Sequence, residues 1–461
     1  MPKLDPSSRE FREAGHRLID WIADYLDGVD RYPVLSSVKP GEIAAKFPSA
    51  PSSAGRPYDA LLADFEPKII PGVTHWNHPA FFAYFSITGS QAGILAELLM
   101  ASLNLNGMLW KTSPSLTELE TVTLEWLRKS LGLPDGLFGI INDTASINSF
   151  LALAAAREAL GFDIRGKGMT GRDLPPLKVY CSEHAHSSIE KAALALGFGA
   201  AGVEKIESDD KFRMRPAALD AAIERDRAAG ALPCAVTATL GTTSTASVDP
   251  LPEIAAIAKR EKMWLHVDAA YAGSATVDPS FRWLWKGIDA ADSIVVNPHK
   301  WFFTPIDCSV LYTRRPDLLR QTFSLVPEYL KTTDSAEVNY MDYGLQLGRR
   351  FRALKLWMVM EHYGIDRIRS VIRDHVGYAQ RLAHELTRRS DIELLAPQMF
   401  SVVVFRKKEG DAATQALLDR MNASGRVFVS HTRLRGKLGI RVAIGNGATE
   451  WEHVARILEF L

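Results

Sequence analysis

Between about residue 90 and residue 315 the chain alternates repeatedly between short β-forming runs and longer Ala/Leu-rich helical runs. "FGIIN" precedes "INSFLALAAAREAL", "LKVYC" precedes "SSIEKAALALG", and "CAVTATL" precedes "LPEIAAIAKRE". "WLHVDAA" and "SIVVN" follow. Short apolar strands joined by helices are the signature of βαβ units, and so of a mostly parallel sheet covered by helices. The predicted fold class is α/β.

The flanks read differently. Ser7 and Glu10 have capping-box spacing, and Phe11, Leu18, Ile22, Tyr25 and Leu26 recur at helical spacing up to Gly28. An amphipathic helix is predicted there. Residues 47–59, "FPSAPSSAGRPYD", read as a linker, and residues 75–85, "HWNHPAFFAYF", are dense in aromatic rings. Downstream, "RRFRALKLWMVMEHYG" predicts a helix, and "FSVVVFR" and "LGIRVAIG" predict strands of a small α+β unit. With 461 residues, about two or three domains or lobes are expected. The boundaries are set at 1–85, 86–350 and 351–461.

Lys+Arg and Asp+Glu both number 54, which argues against nucleic acid or an anionic membrane surface as the main partner. The three cysteines, Cys181, Cys234 and Cys308, are far apart and lack metal-ligand spacing, which suits a reducing compartment. The N-terminal stretch has no apolar signal core, and "AGILAELLMASLNL" is interrupted by Glu97 and too short to span a bilayer. A soluble cytoplasmic protein is expected. "GFGAAG" (197–202) matches GxGxxG but follows a helix rather than a strand. A dinucleotide fingerprint fails that context test, and Gly197 is expected to end the helix.

Ligands of open α/β sheets bind at the carboxyl ends of the strands. There this sequence places Asp143, Thr144, Ala145 and Ser146, then His184 and His186, Thr242 and Thr243, Asp268 with Ala269 and Ala270, and finally His299 and Lys300 after "SIVVN". Alone, each has a plain structural reading: a helix cap, a turn aspartate, a satisfied histidine, a solvated lysine. Together on one edge they match the needs of pyridoxal phosphate. That cofactor requires a lysine amine, an acid for its ring nitrogen, a phosphate cradle at a helix N-terminus and small or flat groups on its ring faces.

The stretches "PGVTHWNHPAFFAYF", "TSPSLTELE", "HAHSSIEKA", "TLGTTSTASVDP", "WLHVDAAYAGSA", "NPHKW" and "LGRRFRALKLW" resemble the group II pyridoxal-phosphate decarboxylases, specifically the aromatic-L-amino-acid decarboxylases, over essentially the whole chain. The resemblance implies fold type I and a two-fold homodimer with the active site at the interface. It implies that Lys300 forms the internal aldimine, Asp268 pairs with the ring nitrogen, His186 stacks on one ring face and Ala270 packs on the other. Thr144, Ala145, Ser146, Asn297 and His299 are assigned to the phosphate site, and Thr243 to the ring substituents and the substrate. Trp76, Tyr84 and Phe85 form the aromatic wall, Ser86, Ile87 and Gly348 line the substrate pocket, and Asn106 and Met108 reach it from the neighbouring subunit. No metal is implied.

In that family a loop tyrosine protonates the substrate α-carbon after carbon dioxide leaves. Tyr329, in the loop "LVPEYLKTTDSAEVNY" (325–340), sits at that place. Aldehyde-forming relatives carry phenylalanine there or lack the stacking histidine, whereas this chain keeps Tyr329 and His186. The expectation is an amine-forming decarboxylase of the phenylalanine, tyrosine, dopa and tryptophan class. An aromatic aldehyde synthase is the alternative, and a catalytically inactive binding paralogue a more remote one.

Overall fold

The computed structural model describes residues 7–325 and 337–461. Its strands, in chain order, are β1 (Phe81–Phe82), β2 (Phe138–Asn142), β3 (Leu177–Ser182), β4 (Val203–Ile206), β5 (Leu232–Thr239), β6 (Trp264–Asp268), β7 (Ser293–Val296), β8 (Ser309–Thr313), β9 (Ile392–Leu394), β10 (Val402–Lys407), β11 (Phe428–Leu434) and β12 (Lys437–Ala443). Seven of them form one sheet in the order β2-β8-β7-β6-β5-β3-β4. Neighbours from β7 through β4 are parallel, and only β8 runs against its neighbours. The mostly parallel α/β sheet is thus present.

Helices cover both faces, as parallel strands demand. Helices Ala145–Glu158 and Ser187–Ala195 bury Leu151, Ala155 and Ile189 on the face that carries Trp264 and Leu311. The opposite face, with Leu265, Val267, Ile294 and Val310, is closed by Ile254, Leu124, Leu127 and Leu356. Every parallel strand therefore ends on one edge, and the loops leaving β3, β5, β6 and β7 gather there.

A second sheet of five strands has the order β1-β11-β12-β10-β9. Its β1 comes from the aromatic-dense segment and pairs in parallel with β11, Phe81 opposite Phe428. That pairing carries residues 83–86 toward the edge of the large sheet. The connecting helix Arg352–Thr387 is broken at Gly364, whose φ of 68° and ψ of 156° are non-helical. A glycine tolerates that left-handed φ, which explains why the helical pattern in the sequence stops there.

The N-terminal helix spans Ser8–Asp27 and has the expected capping box: Ser7 Oγ accepts from Glu10 N at 3.3 Å, and Glu10 Oε2 accepts from Ser7 N at 2.9 Å. Gly197 ends helix Ser187–Ala195 as expected. Its N–H reaches Leu194 O and the Phe198 N–H reaches Ala193 O, the two bonds of a Schellman motif, at a φ of 85°. Among the described residues no helix is long and apolar enough to cross a membrane.

Candidate active site

At the carboxyl edge of the large sheet lies a cavity of about 160 Å³. It is far smaller than the roughly 300 Å³ at which clefts for drug-sized ligands begin. Lys300, Asp268, His186, Ala270, Thr144, Ala145, Ser146, Thr243, Asn297, His299 and Phe85 all line it. Of the strand-end residues chosen from sequence, four do not line it: Asp143, Ala269, His184, which turns aside to Ser208 Oγ at 3.2 Å, and Thr242, which is buried in a hydroxyl cluster with Thr245 and Ser247.

Lys300 is delivered by a one-turn helix, Pro298–Trp301, directly after β7. Proline at the first helical position starts that turn without losing a hydrogen bond. Trp301, 1% exposed, anchors it. Truncating so buried a ring costs roughly 3–5 kcal/mol. Burial pulls the Lys300 amine below its ordinary range; Asp268 opposes the shift, and the positive charge of Arg441 adds to it. A depressed lysine presents more free amine at neutral pH, the form that attacks a carbonyl.

Asp268 ends β6 and is 6% exposed. Its Oδ1 accepts the Ala270 N–H at 3.0 Å, which fixes the carboxylate and sets Ala270 beside it. His186 is the N-cap of helix Ser187–Ala195; its Nδ1 accepts from Ser188 N at 3.1 Å. The cap locks the ring and leaves the imidazole face open to the cavity. Burial, then the Lys300 charge, lower the His186 pKa against the pull of Asp268, so a neutral ring is favoured.

The other end of the cavity is built for an anion. Helix Ala145–Glu158 begins there, and Thr144 at its N-cap makes no side-chain capping bond. Its hydroxyl instead donates to Asp143 Oδ1 at 3.1 Å. Among the described residues the first-turn N–H groups have no side-chain cap, at the positive end of the helix dipole. A buried relay then orients Asn297. Asn142 Nδ2 donates to Asn148 Oδ1 at 2.7 Å, and Asn148 Nδ2 donates to Ser309 Oγ at 2.7 Å. Ser309 in turn donates to Asn297 Oδ1 at 2.5 Å. With its oxygen taken, Asn297 has its amide N–H groups left for the cavity. His299 Nδ1 accepts from Cys308 N at 2.9 Å, and burial pushes its pKa down to about 3. The ring is neutral, and its Nε2 carries the proton.

Phe85 is the cavity's aromatic wall. Its ring stacks on Tyr271 at 3.9 Å, Tyr271 stacks on Trp301 at 4.9 Å, and Trp301 stacks on His375 at 6.4 Å. Lys300 Nζ lies 5.2 Å and the Arg441 guanidinium 4.5 Å from the Phe85 centroid. Tyr84, at a left-handed φ of 53°, turns its carbonyl onto Arg441 and its own ring out to the surface, where it stacks on Trp76 at 5.8 Å. Trp76 and Tyr84 thus stand outside the cavity of their own chain. Ser86 lies behind the cavity, beside Phe85, Tyr271 and Gly445, and Ile87 is half-buried beyond it. Asn106, Met108 and Gly348 lie apart from the cavity of the same chain. Asn106 Oδ1 accepts the Arg349 N–H at 3.0 Å, the Met108 carbonyl accepts from Met341 N at 3.4 Å, and a Cβ on Gly348 would sit 3.7 Å from the Asn106 amide. Tyr329 lies outside the described residues.

Sequence reasoning missed Asn142, Asn148, Ser309, Tyr271 and Arg441. Arg441 is the most consequential. It is 3% exposed, and its Nε and Nη2 have no hydrogen-bond partner among the described residues. Burial pulls its pKa down to about 10. A buried cation with two unpartnered nitrogens is an expensive arrangement that an incoming anion relieves. Its signal in the sequence was slight: one arginine inside the apolar strand "LGIRVAIG".

Pyridoxal phosphate fits this donor set. The lysine can bond its aldehyde, the free Asp268 oxygen suits its ring nitrogen, and the uncapped helix end with the Asn297 and His299 N–H groups suits its phosphate. The chain matches the pyridoxal-dependent decarboxylase conserved domain over residues 40–408. It belongs to the pyridoxal-dependent decarboxylase family. It is accordingly a carboxy-lyase that uses pyridoxal phosphate. Tryptophan decarboxylase 2 of Oryza sativa subsp. japonica is 40% identical over 97% of this chain and 93% of its own. The phenylacetaldehyde synthase of Arabidopsis thaliana is 39% identical over 97% and 94%. The crystal structure of the Oryza sativa decarboxylase TDC with pyridoxal phosphate and tryptamine superposes with a TM-score of 0.95 at 35% identity, covering 99% of this chain and 98% of the other. The fold type I architecture and the cofactor follow from this family membership.

Proposed function

We propose that this decarboxylase converts an aromatic L-amino acid of the phenylalanine, tyrosine, dopa and tryptophan class to its arylalkylamine and carbon dioxide. The observation that carries the reading is the Phe85 ring, buried on Tyr271 and facing the same cavity as Lys300 and Asp268. A flat apolar wall there favours a flat apolar side chain. Bound pyridoxal phosphate supplies the electron sink for the pair left when the bond from the α-carbon to the carboxylate breaks. Asp268 keeps a negative charge at the ring-nitrogen end of the site. His186 covers one side of the cavity and limits water. Arg441 offers its unpartnered Nε and Nη2 to the substrate carboxylate. Tyr329 returns a proton to the α-carbon, which leaves the amine.

A second reading, the aldehyde synthase, has one observation in its favour: a relative named for that product is nearly as similar as those named as decarboxylases. Retention of Tyr329 and His186 weighs against it. Product analysis with wild type and Tyr329→Phe over a panel of aromatic L-amino acids, histidine and glutamate separates the two. Wild type should give amine and carbon dioxide in equal amounts, and Tyr329→Phe should shift product toward aldehyde. Amine alone at an unchanged rate from the variant would remove Tyr329 from the mechanism. The amides of the panel, which lack the anion for Arg441, should inhibit at least about tenfold more weakly than the acids, a difference of about 1.4 kcal/mol.

The same reading includes a homodimer. Leu95, Leu98, Leu99 and Leu103 on helix Gln91–Leu103 are each about half exposed, and Phe11 on the N-terminal helix is 62% exposed. Two helices with bare apolar faces suit a two-fold contact, which would also let Asn106 and Met108 approach a neighbouring cavity. Sedimentation at micromolar concentration should give a dimer, and a monomer there contradicts it.

A further inference from the structure

Asp268 is the outer end of a polar column that runs back into the core. Trp264, His266 and Asp268 alternate with Leu265 and Val267 along β6, so the three share one face. Thr237 and Thr239 on β5 are the register partners of His266 and Asp268, and Ser293 on β7 is the other partner of His266. His266 is 0% exposed and Ser293 1%. Trp264 Nε1 donates to Ser293 Oγ at 2.8 Å, and Ser293 Oγ lies 2.8 Å from His266 Nδ1. An indole N–H only donates, so the serine oxygen accepts it; with no other acceptor for its own proton among the described residues, the serine gives that proton to His266 Nδ1. The imidazole is thereby held as the Nε2–H tautomer.

That Nε2–H has no hydrogen-bond partner among the described residues, and neither do the Thr237 and Thr239 hydroxyls. Ser149 and Ser188, buried on the two helices that cover this face, likewise have unpartnered hydroxyls. Buried polar groups are otherwise almost always bonded, and a polar, roomy pocket of them holds ordered water. The grouping beside one carboxylate calls for a functional account.

We propose that His266 is a positioning residue for Asp268: its fixed Nε2–H, acting through ordered water shared with Thr237 and Thr239, holds the Asp268 carboxylate aimed at the cofactor's ring nitrogen. A neutral donor serves this better than a charged one. An imidazolium would compete with the protonated ring nitrogen for the same carboxylate, whereas an N–H dipole stabilises it without that rivalry. Burial pushes the His266 pKa down to about 4, so it stays neutral through the working range. Lys300 and His186 face Asp268 from the cavity, and the charge of Asp268 acts on Asp249 as well. Those three and His266 are the groups that a pH titration of the bound cofactor would sense.

The inference rests on cofactor binding and not on the choice of substrate, so the test reads the cofactor. Apoprotein is titrated with pyridoxal phosphate for Kd, and the visible band of the holoenzyme is titrated against pH. His266→Phe should weaken binding roughly tenfold or more, the scale of lost outer-shell partners elsewhere, and should move the midpoint of the spectral titration. His266→Gln, which returns an N–H at a similar reach, should recover most of the loss. Ser293→Ala, which frees the tautomer, should shift Kd and midpoint in the same direction by less. Near-UV circular dichroism reports folding; if His266→Phe does not fold, the Gln and Ser293 variants decide. A Kd within about twofold of wild type and an unmoved midpoint in the folded variants would overturn the proposal. So would Gln behaving as badly as Phe, which would make the site one of packing alone.

Discussion

Lys300→Ala is expected to lose at least roughly 10³-fold in kcat, a barrier increase of about 4 kcal/mol. The protein should also lose its visible colour on gel filtration. The reason lies in the placement of the amine. It sits one turn past β7, is held by the buried Trp301, and is depressed by burial toward the reactive free form. No described neighbour supplies a second amine: Lys355, which is fully buried, is bound to Glu97 Oε1 at 2.6 Å. Kinetics on Lys300→Ala with added pyridoxal phosphate check the point. Retention of a tenth of wild-type turnover would mean that the lysine only binds cofactor.

Asp268→Asn should cost roughly 10²–10³-fold in kcat, the range for removing one preorganised electrostatic partner. The substitution keeps the shape, and an asparagine Oδ1 can still accept the Ala270 N–H that Asp268 now accepts at 3.0 Å. What it removes is charge. A protonated ring nitrogen in a cavity of low dielectric needs an anion beside it, and an amide oxygen is a weak substitute. The loss should fall on kcat and on cofactor affinity, with substrate KM little changed. A substrate KM that rises in step with the fall in kcat/KM, at unchanged kcat, would move Asp268 into substrate binding.

Five strands of the large sheet, β2, β3, β5, β6 and β7, were legible because each is a compact apolar run that ends in a polar or small residue. Two were not. In β4 the run Val203–Glu204–Lys205–Ile206 puts a charged residue on each face, which the edge of a sheet permits, and it is too short to stand out. In β8, "SVLYT" is as apolar as its neighbours, but only 12 residues separate it from β7 and no crossover helix fits between them. The chain therefore folds back antiparallel, which periodicity does not reveal. The candidate site divides the same way. Residues that follow a strand end could be read from position. Asn142, Asn148 and Ser309 could not, because their role is to hand a hydrogen-bond direction across four elements. Arg441 and His266 stand out by nitrogens that have no hydrogen-bond partner among the described residues, and local spacing carries no record of that. The plain reading of Thr144 as a side-chain helix cap fails for a reason visible only in three dimensions: its hydroxyl turns to Asp143 instead.

The pile of rings from Phe85 through Tyr271 and Trp301 to His375 ties the aromatic wall of the cavity to the residue next to Lys300. Its planes stay within 19° of parallel at every step. Shaving Phe85 to admit a bulkier side chain would therefore slacken the footing of the lysine as well as enlarge the pocket. Breadth of substrate and grip on the cofactor are adjusted by one screw. On the proposed dimer, Gly348, where a Cβ meets only ordinary contact with Asn106, is a freer place to retune the enzyme than the foundations under Lys300.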